Sequence, residues 1–188
     1  MKARFRSDSS GQIPIVAHLA PVNASARNWA MTISKGLAAL FSRDLTRLIQ
    51  ELQAFPNDET LWQRAPGVKN SAGNLVLHLE GNLREYIGRH LGGVAYSRVR
   101  DQEFAATGVS RNEMVRRMED VKELVAKVVS ELSHGELEAT YPENVLGNPV
   151  SSHAFLVHLH GHLNFHLGQI DYLRRMLTEG SAVAFAGL

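Results

Sequence analysis

Between residues 158 and 170 the chain reads His158-Leu159-His160-Gly161-His162-Leu163-Asn164-Phe165-His166-Leu167-Gly168-Gln169-Ile170, which places four of its nine histidines within nine residues. The apolar spacing around them is helical. At about 100° per residue, Phe155, Leu163, Ile170, Leu173 and Leu177 fall within about 40° of Leu159 and define a core-facing stripe. His166 lands about 20° from the centre of that stripe and His162 about 60°, on the same side. His158 lies at the border, and His160 and His153 point the other way. The helix therefore aims two imidazoles, one turn apart, at positions where leucines are expected.

A buried imidazole is costly unless its nitrogens find partners. Two physical solutions exist. Histidines at i and i+4 share a helix face and can chelate one ion, as in the zinc helix of metalloproteases. Alternatively, both are core histidines satisfied by hydrogen bonds, and a bare His-x-x-x-His pair arises easily by chance. A third ligand from another segment decides between them.

With 188 residues the chain is long enough for one domain with a real core. It has no cysteine, which removes disulfides, a thiolate nucleophile and sulfur ligands, and leaves His, Asp and Glu as metal ligands. The formal charge is +1, with Lys and Arg dispersed, so no basic stripe marks a nucleic-acid surface. No apolar run approaches the roughly 20 residues of a membrane span. The expectation is a cytoplasmic protein with no nucleic-acid or membrane partner.

Residues 1–30 differ from the rest. A basic start, a short apolar stretch broken by Pro14 and His18, and Ala24-Ser25-Ala26 make a poor secretory signal, and a loosely packed leader is the better reading. The first helix is expected from about Ser34 to Ala54, because Leu37, Leu40, Phe41, Leu45, Leu48, Ile49 and Leu52 recur at three- and four-residue intervals. Pro56-Asn57-Asp58 ends it, and a loop follows over 59–70. A second helix runs from about Ser71 to Leu91 and stops at Gly92-Gly93. Its face of Leu75, Leu79 and Tyr86 also holds Asn82, with His78 to one side as the candidate third imidazole. A lone histidine there is more often a satisfied core residue than a ligand. His90, at the other side and near the helix end, reads as merely polar.

After a connection over 94–109 containing Asp101, Glu103 and Phe104, the capping box Ser110-Arg111-Asn112-Glu113 opens a third helix. Met114, Met118, Val121, Leu124, Val125, Val128 and Leu132 form its stripe, and Gly135 closes it. A loop through Pro149 leads to Ser151 or Ser152, which caps the last helix. That helix ends near Thr178, and residues 181–188 form a small apolar tail. Four long amphipathic helices without a convincing strand predict an all-α four-helix bundle with long inter-helix connections over 31–180.

Two of these segments resemble the DinB-like superfamily of metal-dependent four-helix-bundle proteins. Asn74-Leu75-Val76-Leu77-His78-Leu79-Glu80-Gly81-Asn82-Leu83-Arg84 is similar to the family's second-helix pattern with a histidine in mid-helix. His162-Leu163-Asn164-Phe165-His166-Leu167-Gly168-Gln169-Ile170 resembles its late His-x-x-x-His-x-Gly-Gln-Ile signature, whose Gly-Gln-Ile extension helix formation does not require. The resemblance spans roughly residues 34–178. It implies that His78, His162 and His166 hold one divalent ion, zinc or nickel. It also implies a relative of transferases that use a low-molecular-weight thiol as cosubstrate, and a homodimer.

Three neutral imidazoles leave an open position on the ion, as in catalytic rather than structural sites, where a thiol or water is activated. The expected function is thus a metal-dependent thiol transferase or hydrolase. The alternative is a non-catalytic stress-response binding or dimerisation module with a vestigial metal site. Asn82 and Gln169 are candidates to support the ligands or face a substrate, and the same residues read equally as polar groups at the edge of a core. His158 as a proton shuttle and Tyr86 as a hydrogen-bond donor are weaker readings of the same kind. A ferritin-type di-iron site needs Glu-x-x-His on two helices, and only Glu131-Leu132-Ser133-His134 is present. No Gly-x-Ser-x-Gly elbow or strand supports a serine hydrolase.

Overall fold

The computed structural model describes residues 23–184, with side chains from residue 33 onward. Its helices are α1 (Asn23–Gln53), α2 (Asp58–Trp62), α3 (Ala72–Leu83), α4 (Arg100–Ala105), α5 (Arg111–Glu131), α6 (His134–Glu138) and α7 (Ser152–Thr178), and α3 continues as a π-helix over Arg84–Arg89. Among the described residues there is no strand, only an isolated antiparallel bridge between Thr140 and Ser151. None of these helices is long and apolar enough to cross a membrane. The all-α expectation is met.

The helix ends follow local chemistry. Ser71, Ser110, Ser133 and Ser151 each accept a hydrogen bond from the amide three residues on, which satisfies one of the orphan N–H groups of α3, α5, α6 and α7. At Ser110 the expected box is only half formed. The Glu113 carboxylate turns outward to Arg116 and Arg117 instead of back to the cap. Full boxes occur at Ser71 with Asn74 and at Ser133 with Glu136.

Several boundaries differ from expectation. Helix α1 begins at Asn23, because a run rich in alanine and free of Gly and Pro propagates a helix upstream of its apolar stripe. Residues 1–22 of the expected leader, and 185–188 of the expected tail, lie outside the described residues. The two long connections each contain a short helix, α2 and α4. The second helix changes to π geometry after Leu83, with His90 N–H bonding to Glu85 O at 3.2 Å and Gly92 N–H to Ile87 O at 2.9 Å. That segment sits tight on α5: a Cβ on Gly92 would lie 2.5 Å from Val128. Glu131 ends α5 and His134 opens α6, so the lone Glu-x-x-His run is not on one helix.

Phe41, Leu45, Leu48 and Leu52 of α1, Leu79 and Leu83 of α3, Met114, Met118 and Val121 of α5, and Leu156, Leu159, Leu163 and Ile170 of α7 are buried together. Each such side chain contributes roughly 1.5–3 kcal/mol by leaving water. Helix α1 packs on α5 and α7, and α3 packs on α4, α5 and α7. Leu156, Leu167 and Arg174, all on one side of Leu159, are buried too. The buried face of α7 is therefore rotated away from His162 and His166, which stand half-buried at its edge, facing α3, rather than in the core.

Candidate metal centre

The α3 end of the site starts at Asn74. Its Oδ1 accepts from the Ser71 amide and hydroxyl, which fixes the first turn of α3. Its Nδ2 donates to the carbonyls of Glu103 and Ala106 at 3.1 and 3.0 Å. One side chain thus ties the start of α3 to the end of α4 and holds Glu103 beside His78.

One turn along α3, His78 is buried, at 7% exposure. Its Nδ1 donates to Glu103 Oε2 at 2.9 Å, and Arg98 in turn grips both carboxylate oxygens, Nε to Oε1 at 2.6 Å and Nη2 to Oε2 at 2.9 Å. Arg98 Nη2 also lies 3.3 Å from His78 Nδ1, but both groups carry protons, and the carboxylate takes the bond. Burial pushes the Glu103 carboxyl up, and the hydrogen bonds from His78 and Arg98 with the guanidinium charge outweigh it, leaving Glu103 below the ordinary glutamate range. An ionised Glu103 fixes His78 as the Nδ1–H tautomer and leaves the Nε2 lone pair free. Phe104 packs against the ring at a tilt of 35°, centroids 5.0 Å apart.

From α7, His166 is set in the same tautomer. Its Nδ1 donates to Gln169 Oε1 at 2.7 Å, one turn on. His162 stands between, its Nε2 3.2 Å from that of His78 and 3.1 Å from that of His166. Ligand atoms of all three lie within 4.8 Å of one another. Burial pushes the His162 pKa down to about 4, with His166 and His78 adding to the effect. Burial also lowers His166, against the opposing pull of Gln169. Both rings are neutral near pH 7.

This arrangement fits a cation. Two Nε2 lone pairs face His162 Nε2, which can offer one proton to one of them, so hydrogen bonding alone leaves the cluster short of donors. His162 Nδ1 is buried without a protein partner. Bonds of about 2.0–2.1 Å at tetrahedral angles separate ligand nitrogens by roughly 3.3–3.4 Å, close to the two spacings found. The three imidazoles can therefore hold one divalent ion with a position left open. Nothing in an all-imidazole set separates zinc from nickel.

Against known proteins, the model of a family described as "Protein of unknown function (DUF1572)" matches residues 29–185. The chain belongs to this DinB-like family. A crystal structure of a DinB-like protein from Bacillus cereus ATCC 10987 has the same fold, with a TM-score of 0.62 at 19% identity, over 81% of this chain and 95% of that one. No curated protein matches.

Within this DUF1572 fold the sequence candidates separate. His78, His162 and His166 come together, and Gln169 bonds His166. Asn82 is buried on the His78 face of α3, with its Oδ1 lacking a hydrogen-bond partner. Tyr86 packs instead, its ring 5.6 Å from the Arg98 guanidinium and edge-on to Phe155. His158 is exposed and stacks on Phe155. His160 turns to α1 and meets Asp44 at 2.8 Å. His90 is no frayed polar end, since its Nε2 sits 2.9 Å from Glu143 and 3.4 Å from Glu85. Arg89 already places a cation in that second cluster, with Nη2 2.5 Å from Glu85 Oε1 and 3.0 Å from His90 Nε2.

Glu103 and Arg98 were not among the sequence candidates, because they reach His78 from a connection outside the helical periodicity. One signal was present. Gly81, three residues past His78 in mid-helix, leaves the space into which Glu103 fits: a Cβ there would fall 2.1 Å from Glu103 Oε1.

Proposed function

We propose that the chain is a metal-dependent enzyme whose three-histidine site activates a small thiol or a water, as a thiol S-transferase or hydrolase. The observation that carries this reading is the convergence of three imidazole Nε2 atoms with two tautomers fixed by Glu103 and Gln169. A divalent ion held there supplies a full double charge, uncancelled by neutral ligands, that lowers the pKa of a thiol or water reaching its open side.

The chain's own residues supply the rest. Glu103, charged and clamped by Arg98, orients His78 and makes it a stronger donor. Gln169 orients His166. Asn82 has an unpartnered amide oxygen one turn from His78, able to accept a hydrogen bond from an incoming thiol or water and so orient it. The half-buried edge of α7 keeps the site open to a small molecule, while Phe104 shields the His78 ring from water.

The test is a turnover screen of tag-free protein loaded with zinc or nickel, using low-molecular-weight thiols with electrophilic partners beside ester and amide substrates. The reading predicts metal-dependent consumption of one substrate class, abolished in His162→Ala. Metal binding without turnover across both panels favours the non-catalytic module instead.

A further inference from the structure

Beside the histidines, a cleft of about 420 Å³ opens between α7 and the segment leading into α3. It shares Gln169 with the metal centre, the residue whose side chain holds His166. From there its α7 wall runs through Tyr172 and Leu173 to Met176. At about 1.5 Å per residue this is roughly 10 Å along the helix, directed away from the imidazoles. On the opposite wall Leu75 lies one turn before His78. From Leu75 the chain leads back, away from His78, to Lys69 in the loop before α3, which also lines the cleft.

Two features point to a ligand. Tyr172 and Met176 are large apolar side chains left 65% and 62% exposed at the lip of a concave surface, next to a site read as chemical. Among the residues that line the cleft, Lys69 alone is charged, and it is cationic. Apolar walls with one cation are complementary to a molecule with an apolar body and one anionic end.

We infer that the cleft binds a small carboxylate with an apolar or aromatic body, laid along α7 with its carboxylate at Lys69 and its other end at the three histidines. The histidine-facing end of this assignment rests on the metal reading above, and the cleft itself does not. Lys69 and the Tyr172–Met176 wall thereby set substrate specificity: small amphipathic monoanions of about 10 Å are accepted, and neutral isosteres are disfavoured.

The experiment uses the full chain, metal-free and zinc-loaded, with 4-phenylbutyrate and its neutral analogue 4-phenylbutyramide. Binding is followed by calorimetry and by the methyl NMR signals of Leu75, Leu173 and Met176. The acid is expected to shift these methyls in both metal states and to bind roughly five-fold more tightly than the amide, with Lys69→Gln removing the difference. The exposure of Lys69 in its loop makes that variant safe for folding, and a Leu173→Trp variant that fills the cleft should abolish binding of both probes. Equal affinities for acid and amide in the wild type overturn the inference. So do unshifted cleft methyls, or methyls that respond to protein concentration rather than to probe, which would show a second copy covering this face. Failure of the metal reading alone is distinguishable, since zinc then perturbs no histidine while the acid still shifts the cleft.

Discussion

Helix α7 carries two polar pairs at i and i+4, and they differ in one respect. On the α1 side, His160 Nε2 and Asn164 Nδ2 both meet the fully buried Asp44 Oδ2, at 2.8 and 2.9 Å, while Arg43 and Arg47 bond Oδ1 at 2.8 and 3.0 Å. The acceptors there are filled, and two guanidinium groups more than offset the single carboxylate charge. On the α3 side, the Nε2 atoms of His162 and His166 face that of His78 with more lone pairs than protons between them, while the one anion there, Glu103, is taken up by the far nitrogen of His78 and by Arg98. The first pattern is how a buried polar group is accommodated in a fold, and the second is how a cation site is prepared. Helix spacing alone does not distinguish them. What the facing helix supplies does.

The largest effect expected from breaking this contrast is on the filled side. Asp44→Ala removes the common acceptor and should destabilise the protein by about 3 kcal/mol, because it strands buried donors. Denaturant unfolding measures the loss. Calorimetric zinc affinity of the folded fraction should be unchanged, and a parallel loss of affinity would mean the two sides are one network.

Glu103→Ala tests the other side. It leaves His78 without its orienting carboxylate and should weaken zinc binding by about 10- to 100-fold, with a smaller stability loss than Asp44→Ala. Gly81→Ala should reproduce part of this effect by pushing Glu103 away. Gln169→Ala, which frees the more exposed His166, should cost about ten-fold or less, read in the same titration.

The two sides also titrate apart. Burial raises the Asp44 carboxyl, but the hydrogen bonds from Arg43, Asn164 and His160 outweigh it and bring it to about 2. The unfolded chain takes up this proton first, near pH ~4. Stability from Asp44 is therefore complete above pH ~4 and lost as pH falls towards ~2. His162, near pH 4 in the folded metal-free protein, is protonated near pH ~6.5 when unfolded. Its contribution is present above ~6.5 and declines from there to about 4. Stability of metal-free protein against pH should show both declines. His162→Ala should flatten the upper one and Asp44→Asn the lower. A single decline shared by both variants would merge the two regions.

How much of this was legible in sequence follows the same division. The stripes of α5 and α7, the cap at Ser110, a serine cap at Ser151 or Ser152, and the trio His78, His162 and His166 came from periodicity and recognisable motifs, all properties of short windows, and the structure puts the α7 cap at Ser151. The start of α1 did not, because residues 23–32 form a helix upstream of the apolar stripe that periodicity reads. The rotation of the buried α7 face required knowing that Arg174 is buried by pairing with Glu51 at 2.5 Å. Glu103 reaches His78 across 25 residues and Asp44 reaches His160 across 116. Such contacts are set by how helices pack, and only the mid-helix Gly81 left a trace of one.

The most direct test of the account is divalent-metal stoichiometry, measured by elemental analysis and zinc calorimetry on tag-free wild-type protein and its His78→Ala, His162→Ala and His166→Ala variants. The account predicts one ion per folded wild-type chain, and affinity reduced by more than about 100-fold in each variant with folding retained. Folded wild type that takes up no divalent ion, or variants that bind as tightly as wild type, would contradict it.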